Sequence, residues 1–377
     1  MTGEPVAPRS PAGDRVHVLL LFGGRSPEHG VSCLSARSVH AALDPDRYAV
    51  MTVGITREGR WTLLDGVPEE PEGALPAVGE RGDTVGLVRT RTGPVLVLFG
   101  DTLEGRAVGP VDVCFPALHG PYGEDGTVQG LLASYGVPYV GADVASSAIG
   151  IDKRQMKNVF TARGLPQVRH LTVHRHVWEQ DAPAALDELL GELPPPLFTK
   201  PARQGSSIGI RRCEDVDELR AGLDEAFDYD RVAIVEHALE DVRELECGVL
   251  GNATVEVTRP GETVHTGRFY DFDAKYLSPV RLQCPADVPE HVARTCMQHA
   301  REAYLAIGAR GMARVDFFYV PDGGALYVNE INTIPGLTPK SMFPPVWAAE
   351  GLAYPRLVER LLELAFEAAR TGGRYAP

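Results

Sequence analysis

The sequence predicts an α/β domain followed by α+β units, and three observations predict it. Continuous apolar runs stop at glycine: Val16 to Phe22 at Gly23-Gly24, Val111 to Leu118 at His119-Gly120, and Tyr139-Val140 at Gly141. Val31, Leu34 and Ala42 then recur with helical spacing, so strand, glycine turn and helix follow one another. After residue 150 short strand patterns alternate with helices and proline breaks. A chain of 377 residues suits about two or three domains.

Residues 1–14 are rich in Pro, Gly and charge without the apolar stretch of a signal peptide, so a disordered tail is expected. Residues 15–150 form an N-terminal α/β domain with a mainly parallel sheet, in which Tyr48 to Ile55 is the second strand. Between Ile55 and Phe99 lies an insertion whose hairpin pairs Thr84 to Arg89 with Val95 to Phe99. Residues 151–240 form a central unit with helices at Lys153 to Ala162 and Asp181 to Leu193, the second stopped by Pro194-Pro195-Pro196. Residues 241–377 carry strands at Leu245 to Leu250, Gly311 to Val320 and Ala325 to Ile331, with helices near Pro289 to Ala306 and Tyr354 to Ala369.

Net charge is −14, with 51 acidic against 37 basic residues, and no dense Lys/Arg block is present to meet a phosphate backbone, so nucleic acid is excluded as a partner. Six cysteines without a C-x-x-C pair argue against a zinc site or a disulfide framework and fit a reducing cytoplasm. No apolar run approaches the roughly 20 residues that span a bilayer, so no membrane association is expected.

The chemistry starts at Gly311 to Gly336. Arg314 and Asp316 lie two apart on one strand, Glu330 and Asn332 two apart on the next, so each pair projects from one face. Asp316 meets Glu330 only if the connection has an odd number of residues, such as Asp322-Gly323-Gly324, barring a bulge. Two carboxylates and an amide oxygen suit Mg²⁺ or Mn²⁺ bound through nucleotide phosphates, with Arg314 offsetting charge on a transferring phosphoryl group. A solvated edge hairpin would show the same residues. Phe198-Thr199-Lys200-Pro201 followed by Gly205-Ser206-Ser207 presents a lysine and a loop able to aim N–H groups at phosphate, although an ordinary hairpin loop fits as well. In Glu236-His237-Ala238-Leu239, with Glu244 beyond, a strand runs into a connection that can read an adenine edge through backbone groups while a carboxylate holds ribose hydroxyls.

These elements in this order, with Lys153 upstream, resemble the ATP-grasp superfamily and within it the D-alanine–D-alanine ligases. The resemblance runs from about Val16 to Leu364 and rests on Leu21 to His29, Ala117 to Gly120 with Gly123 to Thr127, Lys200 to Gly209, Phe269 to Tyr276, Gly311 to Asp316 and Asn329 to Pro339. It implies an ATP-grasp fold of three domains, the first Rossmann-like, that joins two D-alanine molecules using ATP and two Mg²⁺ or Mn²⁺ ions. By resemblance Glu28 holds the first D-alanine's ammonium, His119 lines the same pocket, and Lys153, Lys200 and Lys275 face phosphates beside Ser207. Ser206 bonds Tyr276 and Glu28 when the site closes, and Tyr276 belongs to a lid. Arg314 and the Gly336 N–H meet the oxyanion, while Ser341 and Met342 hold the second substrate's carboxylate. A homodimer serving peptidoglycan synthesis is implied. The dipeptide-type lid Ala274-Lys275-Tyr276 separates this reading from D-alanyl-D-lactate formation, whereas D-serine as acceptor and a non-catalytic ATP-binding module stay open.

Overall fold

The computed structural model describes residues 15–100, 104–264 and 281–372. Three sheets organise them. The first is built from β1 (Val16–Gly23), α1 (His29–Ala42), β2 (Tyr48–Ile55), β3 (Trp61–Leu64), β4 (Thr84–Arg89), β5 (Pro94–Phe99), β6 (Gly105–Pro110) and β7 (Val113–Pro116). Its strand order is β6-β5-β4-β3-β2-β1-β7. Only β1 with β2 and β1 with β7 are parallel, which corrects the expectation of a mainly parallel sheet. The cause is the insertion: β2–β3, β4–β5 and β5–β6 follow one another through short connections that permit only antiparallel pairing, and β4 returns antiparallel to β3 after the longer stretch 65–83. The expected hairpin is there, Thr84 opposite Phe99 and Arg89 opposite Pro94. Strand β6, paired to β5, was not anticipated, and Tyr139 contributes only an isolated bridge to Cys114.

Helices α2 (Thr127–Ser134), α3 (Val144–Ile151) and α4 (Lys153–Ala162) lead into the second sheet. Asp152 caps α4 by accepting from the N–H groups of Arg154 and Gln155, so Lys153 starts the helix in a fixed place. The second sheet, β10-β9-β11-β8, comprises β8 (His170–His174), α5 (Arg175–Gln180), α6 (Ala182–Glu192), β9 (Leu197–Pro201), β10 (Arg211–Cys213), α7 (Val216–Tyr229) and β11 (Val232–His237). The third comprises β12 (Arg243–Gly251), β13 (Val255–Val257), β14 (Gly261–Val264), β15 (Arg281–Gln283), α8 (Glu290–Ala306), β16 (Gly311–Val320) and β17 (Ala325–Asn332), ordered β15-β14-β12-β16-β17, with β13 beside β12.

The chain closes with α9 (Phe343–Ala349) and α10 (Tyr354–Gly372). Leu357, Val358 and Leu361 of α10 join Val18, Leu20 and Phe22 of β1 in one buried cluster. The last helix therefore packs against the first sheet, fastening the two ends of the chain around the space between them.

Candidate active site

The β16–β17 hairpin places its carboxylates by a route other than the one expected. Val320 pairs with Ala325, so the connection is the even-numbered stretch Pro321 to Gly324. An unbroken ladder would then set Asn329 opposite Asp316. A one-residue bulge intervenes: Phe317 faces Val328, but Asp316 faces Glu330 and Arg314 faces Asn332. The bulge corrects the turn and keeps the result. It also brings Asn329 to the cavity wall beside Glu330, a neighbour that alternation alone hides.

Arg314 is clamped. Its Nε lies 2.6 Å from Glu246 Oε2, and its Nε and Nη2 donate to the two Asp316 oxygens at 2.7 and 2.6 Å. Asn332 Nδ2 donates to Asp316 at 3.1 Å. Burial, with the Glu246 and Glu330 carboxylates, pushes Asp316 up to about 7 in spite of Arg314. A cluster so short of positive charge fits a hard divalent cation. Among the described residues no three His, Cys, Asp or Glu side chains are grouped to hold a metal by themselves. Asp316, Glu330, the Asn332 amide oxygen and phosphate oxygens would therefore share the ion.

Lys153 meets this cluster from the start of α4, and Lys200 stands beyond it on the second sheet. Lys153 Nζ lies 3.1 Å from Glu330 Oε2 and donates to the Gln204 carbonyl at 2.9 Å, tying the glycine-serine loop to the hairpin. Lys200 on β9 pairs with Glu236 on β11, and Glu236 also pairs with Lys157. Lys153, Lys200, Glu236, His237, Leu239 and Glu244 all line a cavity of about 840 Å³ between the second and third sheets. Ala238 is buried outside it, and the N–H groups of His237 and Ala238 go to the Arg169 and Pro196 carbonyls at 3.0 and 2.9 Å. Carbonyl groups and the Leu239 end of this segment are what remain to read a base.

In the loop itself Ser206 and Ser207 have φ of 49° and 59°, a conformation that L-residues adopt at a cost of about 1–2 kcal/mol each. Turned this way, Ser206 Oγ donates to Glu28 Oε1 across the interface with the first sheet. Glu28 precedes α1 but its carboxylate does not cap that helix. Its position follows from Gly23 and Gly24, whose φ of 85° and 98° swing the chain at the end of β1. The Gly23 N–H donates to Ser32 Oγ, whose hydroxyl donates to the Ala117 carbonyl.

Glu28, Ser206, Arg314, Gly336, Ser341 and Met342 line a second cavity of about 160 Å³, together with His119 and Glu124. A Cβ on Gly336 would fall 2.9 Å from Ser341 Cβ, so glycine is what allows the two to approach. Ser341 Oγ lies 2.8 Å from Thr338 Oγ1, and Met342 Sδ 3.3 Å from Cys284 Sγ. Glu124 accepts from the Gly120 and Ile334 N–H groups at 2.7 and 3.1 Å. Burial and the nearby Glu28 charge push it up to about 8. Lys275 and Tyr276 lie outside the described residues.

His119 is 5% exposed and has both ring nitrogens engaged. Nδ1 donates to the Ile334 carbonyl at 3.1 Å, so Nε2 accepts from the Ser35 hydroxyl at 2.8 Å; Ser35 Oγ in turn accepts from the Leu337 N–H. The ring holds the Ile334 to Leu337 loop, and Gly336 with it, against the first sheet. Burial lowers its pKa from 6.5 to about 4. The unfolded chain binds the extra proton more readily, so this contribution to stability is complete above pH 6.5 and is lost as pH falls through about 4. It amounts to about 3 kcal/mol. Unfolding by denaturant across this range should show a shallower acid limb in His119→Gln, and equal slopes in the two proteins would contradict the assignment.

Two family models match the chain: the N-terminal part of the D-ala D-ala ligases over residues 17–142 and the C-terminal part over residues 159–363. The D-alanine–D-alanine ligase of Paenarthrobacter aurescens (strain TC1) is 43% identical over 94% of this chain and 96% of its own length. The chain belongs to the D-alanine–D-alanine ligase family. It is accordingly a ligase with the ATP-grasp fold. Among solved structures, the D-alanine–D-alanine ligase of Coxiella burnetii aligns with a TM-score of 0.79 at 32% identity, covering 95% of this chain and 96% of that one. The VanG D-Ala:D-Ser ligase of Enterococcus faecalis aligns with a TM-score of 0.78, also at 32% identity, covering 93% and 100%.

Within this family frame, Glu246 and Lys157 are the site residues that sequence reasoning missed. Glu244-Leu245-Glu246 carries the same alternate-residue signal as Arg314-Val315-Asp316, and the two strands pair with Glu246 opposite Asp316. Lys157 follows Lys153 by one helical turn, a spacing that puts both on one face. No membrane-spanning helix, long and apolar enough, occurs among the described residues.

Proposed function

We propose that this chain joins two D-alanine molecules into D-alanyl-D-alanine, consuming ATP by way of a D-alanyl phosphate. The observation that carries the reading is the Ser206 to Glu28 hydrogen bond, which closes the glycine-serine loop onto a small cavity holding Arg314 and Gly336, beside the larger nucleotide-sized cavity. Glu28 would take the first D-alanine's ammonium and so aim its carboxylate at the phosphates that Lys153, Lys200, Lys275 and Ser207 face. Divalent cations at Asp316, Glu330 and Asn332 would neutralise phosphate charge when bound.

A free carboxylate is a poor electrophile toward an amine. One carboxylate oxygen of the first D-alanine attacks the γ-phosphorus and ADP leaves. The amine of the second D-alanine, having lost a proton, then attacks the acyl carbon. Phosphate departs with that carboxylate oxygen and takes up the proton that the attacking nitrogen sheds as the peptide bond forms. Arg314 and the Gly336 N–H meet the oxyanion, Ser341 and Met342 hold the acceptor's carboxylate, and the Tyr276 segment keeps water from the acyl phosphate. His237, Leu239 and Glu244 serve the adenosine end. We extend the proposal to a cytoplasmic homodimer, with boundaries near residues 150 and 240, that supplies peptidoglycan precursor.

Phosphate release measured with ATP, Mg²⁺ and D-alanine as donor tests this, with D-alanine, D-serine or D-lactate as acceptor. D-alanine should give the fastest turnover. Faster release with D-serine would move the chain to the acceptor class of its VanG neighbour, and no release with any acceptor would sink the enzymatic reading.

A further inference from the structure

Lys157 sits where no exposed role is open to it. It is 2% exposed, lies behind Glu236, and is not among the residues lining the large cavity, whereas Glu236 and Lys200 are. Glu236 is itself 2% exposed and is shared: Oε1 pairs with Lys157 Nζ and Oε2 with Lys200 Nζ. Lys200 also stands 5.8 Å from the Phe318 ring centroid on the cavity wall. Keeping a lysine charged in so dry a place is costly, and burial lowers Lys157's pKa. Glu236 is held well below the usual carboxylate range, the two lysines outweighing the burial that opposes its charge.

Resting on the nucleotide reading of this cavity, we infer that Lys157 is a positioning residue which neutralises Glu236 so that Lys200 can exchange that carboxylate for a nucleotide phosphate. Two lysines on one carboxylate leave a surplus positive charge. When phosphate arrives, Lys200 can turn to it while Lys157 stays on Glu236. Without Lys157, every movement of Lys200 toward phosphate exposes a bare buried carboxylate beside it, and the carboxylate keeps the lysine.

The test is the affinity for ADP with Mg²⁺, read by titration calorimetry without D-alanine. Lys157→Met should weaken it about tenfold or more. Adding Glu236→Gln to that variant removes the carboxylate that needs neutralising and should restore affinity to within about threefold of wild type. A merely structural lysine would give no such rescue. Wild-type affinity in Lys157→Met, or no recovery in the double variant, overturns the inference alone. Failure of the wild-type protein to bind ADP overturns the nucleotide reading and this inference with it. If Lys157→Met does not fold, the double variant decides: near-wild-type affinity supports the inference, and a tenfold or greater loss overturns it.

Discussion

Replacing Arg314 by alanine should lower kcat by about 10²- to 10³-fold, the loss expected when one preorganised oxyanion donor is removed, or about 2.7–4 kcal/mol. The expectation rests on how the guanidinium is held. Asp316, on Arg314's own strand, accepts from both Nε and Nη2, and the Glu246 carboxylate of the neighbouring strand β12 lies against Nε, so the group waits in place and needs no reorganisation when charge develops. The KM for ATP should change far less, because the larger cavity, which we propose takes the nucleotide, is lined by other residues. Alanine also leaves Glu246 and Asp316 facing each other across the ladder, which raises Asp316 further and costs stability. Thermal unfolding and ADP affinity of the variant separate that cost from chemistry. Lysine at this position should recover little, since a point charge cannot span two carboxylates as the fork does. An alanine variant with near-normal turnover would remove Arg314 from the oxyanion.

How much of this was legible beforehand follows the range of the interactions. Strand Gly311–Val320 and helix Lys153–Ala162 were read to the residue, because apolar periodicity is a local signal. The direction of the first sheet was misread, since nothing local in an apolar run says whether its neighbour is parallel. The Asp316 to Glu330 pairing was anticipated for the right reason, period-2 alternation, yet through the wrong turn: a bulge at Asn329 leaves no mark in a sequence that already alternates. Glu28 could be placed at a strand end from its local pattern, whereas its bond to Ser206, 178 positions away, was legible only through the family resemblance. Lys157 illustrates the opposite case. Its spacing from Lys153 was visible, but a lysine buried behind a carboxylate reads, in sequence, like any solvated lysine on a helix.

Gly205→Ala should lower kcat/KM for D-alanine by about 10²-fold, the usual consequence of displacing a positioning group by about 1 Å. A Cβ there would fall 2.8 Å from Glu28 Oε2 and 3.2 Å from Oε1. The Glu28 carboxylate cannot step aside cheaply: it is 6% exposed and held by Ser206 Oγ. The loop must therefore lift, and the bond that closes it breaks. Stability should change by no more than about 0.5 kcal/mol, because Gly205 sits on a partly exposed loop and its φ is not in the left-handed region. Ser206→Ala removes the same bond by deletion and, at about 1.5–3 kcal/mol for a hydrogen bond to a charged group, should cost roughly ten- to a hundredfold. Both variants break the Ser206 to Glu28 bond, so the part of their effects that runs through it should not multiply: the double variant should lie within about threefold of Gly205→Ala alone. Multiplying effects would mean that Ser206 has a duty apart from Glu28, and wild-type kcat/KM in Gly205→Ala would mean that loop closure onto Glu28 is not part of the catalytic cycle.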